Sequence, residues 1–271
     1  MRIFYLFILF AISVNAQIIQ GKILSKETNE GLSYISIFAD DNNYLTITDS
    51  VGNFSFQKTE HTKQIIVDAQ GFELRKINLD EIERDNFKIF LIPQIIQLNE
   101  VAIVSKFTKK VNTGNSGATI HVDFLPVTDE NRIREVAVRL NARNIAKIDK
   151  VNIEFTKLPK YERTAFRLTI YDEKDGHPNN IISKQDLMFE INEEDLTNNV
   201  YTIHLKDKNI MVNGTFYVAV EIYNELEEAV WLSAGFLGRN GYLRRNYKEW
   251  DKMPLKISPY INVESVSYTH L

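Results

Sequence analysis

The sequence predicts an all-β protein built from two antiparallel sandwiches, and three observations lead to this prediction. Short apolar runs with period-two alternation recur along the chain. Turn clusters rich in Asn, Asp and Gly separate these runs at short intervals. No long segment shows the 3.6-residue period of an amphipathic helix. Many short strands joined by frequent turns are typical of a β-sandwich.

Composition and charge exclude several classes of protein. The chain has 271 residues, of which 25% are charged and 44% hydrophobic, which is ordinary for a globular protein and argues against disorder, collagen and coiled coil. The absence of cysteine excludes disulfides, cysteine-ligated zinc, iron–sulfur clusters and a cysteine nucleophile. A net charge of −4 without a basic block argues against a nucleic-acid partner.

The first residues have the pattern of a secretory signal peptide. Arg2 precedes a continuous apolar run over residues 3–14, and Ala16 ends a small-residue cleavage site before Gln17. The run is shorter than the roughly 20 residues that span a bilayer. We therefore expect residues 1–16 to be removed on export to the periplasm, the outer-membrane surface or the medium. No later stretch is apolar for long enough to be a transmembrane segment.

The first mature unit, residues 17–104, is predicted to be a seven-stranded sandwich. A helical turn is expected at residues 79–85. The predicted strands are residues 18–24, 34–38, 44–48, 54–56, 65–67, 72–77 and 88–92.

Several short motifs of this unit occur in the order of a known module. They are residues 20–23 (QGKI), 30–32 (EGL), 48–56 (TDSVGNFSF), 69–72 (AQGF) and 98–104 (LNEVAIV). The unit resembles the carboxypeptidase-regulatory-like domain, a transthyretin-like sandwich common at the N-terminus of exported proteins of Bacteroidetes-type bacteria. The resemblance implies a structural module, since in metallocarboxypeptidases the zinc site lies in a separate catalytic domain.

The segment 48–56 reads as a structural turn. We expect Asp49 to accept backbone N–H groups, Gly52 to adopt a positive φ, and Phe54 and Phe56 to point to one face. The alternative is a calcium site that uses Asp49 together with two acidic residues of the preceding turn, Asp40 and Asp41.

Residues 105–117 are predicted to be an exposed linker, and residues 118–271 a second antiparallel β-sandwich or jelly roll. The apolar members of its strands alternate, so their polar neighbours Arg167, Thr169 and Tyr171 are expected to face outward. Residues 166–171, followed by a Gly-x-Pro loop, resemble an accessory β-sandwich family that is mostly uncharacterised. The last residues, 266–271, resemble translated sequencing adaptor, so His270 carries no weight in the functional interpretation.

A search for catalytic motifs predicts a non-enzymatic protein. Zinc-peptidase, serine-hydrolase, P-loop and dinucleotide-binding signatures are absent, and the histidines are isolated from one another. The acidic clusters at residues 193–195 and 225–228 are interpreted as solvated turns rather than glycosidase acids. No cofactor is expected apart from a possible structural calcium at Asp172 and Asp175, where oxygen donors flank a glycine. The alternative for this segment is a plain hairpin loop.

A late cluster of aromatic and basic side chains is the candidate ligand site. Aromatic faces stack on sugar rings and arginines donate to hydroxyls or carboxylates, so this cluster indicates glycan binding. The alternative is that the aromatics fill the open end of the sandwich. The candidate residues are Trp231, Tyr242, Arg244, Arg245 and Trp250, with Phe236, Arg239 and Tyr247 nearby.

The sequence thus favours an exported, non-enzymatic protein of the envelope or cell surface, with an unidentified envelope protein or polysaccharide as its partner. The alternative is a fragment or accessory part of a larger system, either a TonB-dependent outer-membrane receptor or a secreted hydrolase or carboxypeptidase.

Overall fold

A computed structural model gives the structure of most of the mature chain. It describes residues 17–40, 44–69, 72–81, 87–93, 107–114, 120–124, 133–160, 163–183, 185–223, 228–236, 241–245 and 249–269. The predicted signal peptide and the motif at residues 98–104 lie outside these ranges. Within them, no helix is long and apolar enough to cross a membrane.

The N-terminal unit consists of seven strands in two sheets. One sheet has the order β4-β1-β7, with β7 parallel to β1, and the other has the order β3-β2-β5-β6. The predicted helical turn is a 3₁₀ helix at Leu79–Glu81, and residues 82–86 lie outside the described ranges. The strands are β1 (Gln17–Ser25), β2 (Ser36–Ala39), β3 (Tyr44–Ile47), β4 (Asn53–Lys58), β5 (Gln64–Asp68), β6 (Arg75–Asn78) and β7 (Phe87–Leu91).

Alternation along the strands builds the core of this unit. In β4, Phe54 and Phe56 are buried while Asn53, Ser55 and Gln57 are exposed, and the two rings stack at a centroid distance of 6.2 Å. Ile23, Ile37 and Ile65 contribute fully buried side chains from three other strands. The predicted seven-stranded sandwich is confirmed.

The C-terminal unit is also built from antiparallel strands, as predicted. Its short helical segments are 3₁₀ helices at Glu193–Asp195, Lys206–Lys208 and Pro254–Lys256. The strands are β8 (Phe107–Gly114), β9 (Ile120–Phe124), β10 (Ile133–Lys157), β11 (Thr164–Lys174), β12 (His177–Ile181), β13 (Leu187–Ile191), β14 (Val200–His204), β15 (Met211–Ile222), β16 (Val230–Gly235), β17 (Gly241–Arg245), β18 (Asp251–Lys252), β19 (Ser258–Pro259) and β20 (Ile261–Thr269).

The long strand β10 organises this unit. Its first half lies between β15 and β17, and its second half pairs with β14, β20 and β16. The register shifts between Ala142 and Ala146, where the strand passes from one set of partners to the other. Val138, Ile153 and Phe155 are fully buried in the core that both halves share.

The predicted linker at residues 105–117 is wrong for most of its length, because Phe107–Gly114 forms strand β8. This strand pairs along its whole length with β20, from Phe107 opposite Thr269 to Gly114 opposite Asn262. Its composition of Lys, Asn and Gly suits an edge, where charged side chains face water. The exposed Lys109 and Lys110 fit that position.

The outward orientation predicted for the polar residues of β11 is also wrong. Arg167, Thr169 and Tyr171 do lie on the face opposite the apolar core, but all three are buried. A second small cluster of buried aromatic and alanine side chains covers this face, and the N-terminal unit contributes side chains to a cavity above it.

Candidate functional site

A row of four charged side chains crosses the covered face of the C-terminal unit. Arg167 on β11 lies opposite Glu221 on β15, Glu221 lies opposite Glu135 on β10, and Glu135 lies opposite Arg244 on β17. Directly opposed residues of neighbouring strands have adjacent side chains. The sheet register therefore lines up an Arg–Glu–Glu–Arg sequence across four strands.

Hydrogen bonds hold this charged row in place. Glu135, which has 0% exposure, accepts from Arg244 Nη2 and, at 2.9 Å, from the Tyr171 hydroxyl. Arg167, only 6% exposed, donates to both oxygens of Asp186, from Nε at 2.7 Å and from Nη2 at 3.0 Å. Glu135 and Arg167 thus each have an opposite charge beside them, as low-dielectric surroundings require.

The Tyr171 hydroxyl stays protonated in this environment. Burial raises the pKa of Tyr171 well above its usual range, and the neighbouring Glu135 carboxylate raises it further. Tyr171 therefore acts as a hydrogen-bond donor over the whole physiological pH range.

A cavity of about 460 Å³ lies between the two units, above the charged row. Strands β2, β5 and β6 form one wall, and strands β11, β12, β15 and β17 form the other. Its lining residues are Ser36, Phe38, Ile66, Leu74, Lys76, Arg167, Thr169, Tyr171, Asn179, Ile181, Glu221, Tyr223 and Arg244.

Tyr34 connects the two units beside this cavity. Its hydroxyl donates to Glu190 Oε1 at 2.8 Å, and its carbonyl oxygen accepts from Arg167 Nη2 at 3.2 Å. Its ring lies edge-on to Tyr223, which also carries the Arg167 guanidinium 4.0 Å above its ring centroid. Desolvation and the bond to Glu190 raise the pKa of Tyr34 to about 12.

Only some of the predicted ligand-binding residues lie at this cavity. Arg244 lines it, and the Trp250 ring packs against the guanidinium of Arg244 at 5.0 Å and against the ring of Tyr171 at 5.7 Å. Tyr242 is buried and is not among the lining residues. Its hydroxyl donates to the Gly176 carbonyl at 2.7 Å.

The other predicted ligand-binding residues have different surroundings. The ring of Trp231 on β16 stacks on the ring of His121 at a centroid distance of 4.3 Å, and Lys157 Nζ lies 5.5 Å from the Trp231 ring centroid. Arg245, at the end of β17, lies opposite Ile133. Phe236 is exposed at the end of β16. Arg239 and Tyr247 lie outside the described residues.

The aspartates proposed for calcium take part in turns. Asp172 accepts hydrogen bonds from the Asn179 side chain and from the backbone and side chain of Asn180, while Asp175 lies exposed at the hairpin tip. Asp49 accepts from Val51 and Asn53. Asp40 is exposed, and Asp41 lies outside the described residues. The described part of the chain contains no group of three or more His, Cys, Asp or Glu side chains that could hold a metal ion.

A family model described as the CarboxypepD_reg-like domain matches residues 19–103. The match begins within β1 and extends beyond β7, so it covers the N-terminal sandwich. Residues 19–103 are a CarboxypepD_reg-like domain. The resemblance seen in the sequence motifs is confirmed, and the CarboxypepD_reg-like domain supplies one wall of the cavity.

The solved structures to which the chain is similar are distant. The chain is 10% identical to the cysteine protease and lectin-like domains of Cwp84, a surface layer associated protein of Clostridium difficile, with a TM-score of 0.37 over 57% of this chain and 37% of that one. It is also 10% identical to a DUF3823 family protein from Bacteroides ovatus, with a TM-score of 0.23 over 91% and 97% of the two chains.

A third similar structure is BcpA, the major pilin subunit of Bacillus cereus, which is 8% identical with a TM-score of 0.18 over 91% of this chain and 68% of that one. The match to a second Cwp84 structure covers 52% of the length of that protein chain. No curated protein matches the chain. Similarities this low support no functional argument.

Sequence reasoning missed the burial of the charged residues on the covered face and the contact of Arg167 with the CarboxypepD_reg-like domain. Arg167 and Glu221 each stand in a mostly apolar strand segment, such as the Val-Ala-Val-Glu-Ile sequence that contains Glu221, and Glu135 directly precedes the apolar run Val-Ala-Val. Period-two alternation assigns such residues to the solvent face. The available signal was that each of these charged residues adjoins an apolar run, a setting in which a buried charge needs a partner of opposite charge.

Proposed function

We propose that this protein is an exported, non-enzymatic carbohydrate-binding protein of the cell envelope, and that its ligand occupies the cavity between the CarboxypepD_reg-like domain and the second sandwich. The observation that carries the proposal is the cavity itself, whose two walls come from different units. Clefts between domains are common ligand sites, and about 460 Å³ falls within the usual size range of small-molecule sites.

The lining chemistry supports a sugar as the ligand. Sugar hydroxyls need donors and acceptors together, which Arg167, Asn179 and Glu221 supply as planar polar groups. Sugar rings also have apolar faces that stack on aromatic rings, and Tyr171 supplies such a ring in the lining.

The hydrogen-bond partners of the polar groups support binding rather than catalysis. Asp186 holds Arg167 on two nitrogens, and Glu135 is held by Arg244 and Tyr171. Side chains fixed in this way present a preorganised surface to a ligand, which lowers the entropic cost of binding. A general acid or base, in contrast, needs a group that is poised to exchange its proton.

The proposed location outside the cytoplasm rests on the sequence of residues 1–16. The charged start, the short apolar run and the small-residue cleavage site support export. The lack of cysteine is compatible with an oxidising compartment, because no thiol is present to form unwanted disulfides.

A glycan array with the purified protein tests this proposal when it is combined with two matched variants. Leu74 lines the cavity and Val51 does not, yet both side chains are 53% exposed, so Leu74→Trp and Val51→Trp should both fold. We expect Leu74→Trp to weaken glycan binding at least tenfold by filling the cavity mouth, and Val51→Trp to leave it unchanged.

Two outcomes would overturn the proposal. One is that no glycan binds the wild-type protein. The other is that binding survives Leu74→Trp but is lost in Trp231→Ala, because the site would then lie at the aromatic pair of β9 and β16 rather than in the cavity.

A further inference from the structure

We propose that the sugar bound in the cavity carries a carboxylate, which Lys76 and Arg167 recognise from opposite walls. This inference rests on the proposed carbohydrate-binding function and adds the charge of the ligand. It depends on which charged side chains line the cavity and which do not.

Arg167 has one guanidinium nitrogen left for a ligand. Asp186 takes Nε and Nη2, and Nη2 also donates to the Tyr34 carbonyl. Nη1 makes no hydrogen bond to any described residue. Since the side chain is only 8% exposed, lies over the ring of Tyr223 and lines the cavity, its orientation is fixed before a ligand arrives. A guanidinium preorganised in this way binds carboxylate oxygens well.

Lys76 supplies a second cation from the opposite wall. It lies on β6 of the CarboxypepD_reg-like domain, is exposed and lines the cavity. Within the described ranges it forms no ion pair, so its ammonium group is available to a ligand. A mobile lysine opposite a fixed arginine accommodates ligands of somewhat different size.

The positions of the charges favour an anion over a cation. Three cationic side chains, Lys76, Arg167 and Arg244, line the cavity, whereas Glu221 is the one acidic side chain in the described lining. The balancing carboxylates of Glu135 and Asp186 do not line it. Because Coulomb energy falls with distance, a ligand in the cavity interacts more strongly with the cations that line it than with the carboxylates that do not.

Matched pairs of acidic and neutral glycans test the inference. The probes are oligogalacturonate against its methyl ester, and sialyllactose against lactose, each titrated by calorimetry into the wild-type protein. We expect at least one acidic member to bind more tightly than its neutral partner, and high salt to reduce the difference.

The variant Lys76→Gln should lower affinity for the acidic member about fivefold, as for one solvent-accessible ion pair, and leave affinity for the neutral member unchanged. Lys88→Gln is the matched control, because Lys88 is an exposed strand lysine of the same domain that does not line the cavity. It should behave as the wild type.

The results separate the two proposals. If a neutral glycan binds at the cavity as tightly as its acidic partner, and Lys76→Gln changes neither, the carboxylate inference is wrong and the carbohydrate-binding function stands. If no member of the panel and no array glycan binds, the proposed function itself is wrong.

Discussion

Gly52 adopts a φ of +87°, and a Cβ built on it would lie 2.6 Å from the Ile23 carbonyl oxygen. It completes the turn in which Asp49 Oδ1 accepts the backbone N–H groups of Val51 and Asn53, at 3.0 and 2.8 Å. Although desolvation acts to raise the pKa of Asp49, the hydrogen bonds from Asn53 and Val51 lower it below the usual value. The turn directs the chain into β4.

We predict that Gly52→Ala destabilises the protein by about 2–3 kcal/mol. Alanine is unfavourable in the left-handed backbone conformation of this position, and its methyl group would also clash with the neighbouring backbone. Gly214→Ala is the control. Gly214 also has a positive φ, of +68°, but no atom lies within 4 Å of a Cβ built there, so we expect a cost of about 1 kcal/mol. Urea unfolding measures both, and equal costs would show that the close approach to Ile23 contributes nothing.

The residues of this turn are readable from the sequence because their roles are local. Asp49, Gly52 and Phe54 interact with residues close to them in the chain or follow the period of their own strand. Arg167 shows the opposite case. Its partner Asp186 and its contact Tyr34 come from other elements, so no local pattern specifies its burial.

At the level of elements, the row of charges across β11, β15, β10 and β17 depends on strand register. Glu135 and Glu221 lie directly opposite each other, and like charges in that position repel unless each is compensated. Arg244 compensates Glu135 from the other neighbouring strand. The order of the strands in the sheet therefore matters as much as their individual sequences.

We predict that Arg244→Met destabilises the protein by about 3 kcal/mol, because it leaves the fully buried Glu135 carboxylate without its cation and next to Glu221. Adding Glu135→Gln to this variant should restore part of the loss. The control is Lys150→Met, which breaks the partly exposed ion pair with Glu264 and should cost less than about 1 kcal/mol. Equal losses in the two single variants, measured by urea unfolding, would refute the structural role of the row.

The sequence predicts most strands, since alternation over segments such as Phe216–Ile222 needs no tertiary information. It fails at β8, where Lys109 and Lys110 in a run of polar residues suggest a linker. Polar composition does not distinguish an edge strand from a loop, because both expose side chains to water. Only the pairing of β8 with β20 identifies it as a strand.

At the scale of the whole molecule, Tyr34 links the two units through its hydroxyl and its carbonyl oxygen. It has a φ of +57°, which is unfavourable for a residue with a bulky side chain. The contacts with Glu190, Arg167 and Tyr223 offset this cost. The sequence predicts two units but does not predict this joint, because the contact residues are more than a hundred positions apart.

We predict that the joint contributes stability that is lost at alkaline pH. The pKa of Tyr34 is about 12 in the folded protein, whereas its ordinary value is 10. The Tyr34 hydroxyl therefore ionises at a lower pH in the unfolded chain than in the folded protein. The contribution is therefore complete below pH 10 and disappears as the pH rises from 10 to 12.

Tyr34→Phe isolates this effect. The wild type should be more stable than the variant at pH 8, and the difference should vanish towards pH 12, as followed by urea unfolding at each pH. A difference that does not change with pH would mean that the Tyr34 hydroxyl does not form the bond to Glu190.

The central claim is that the CarboxypepD_reg-like domain and the second sandwich form one ligand site together. Hydrogen exchange of the purified protein, with and without the tightest-binding glycan of the panel, tests it most directly. We expect the ligand to slow exchange in both walls, at residues 75–77 of β6 and at residues 167–171 of β11. Slower exchange confined to one unit, or centred on β9 and β16 around Trp231, would contradict it.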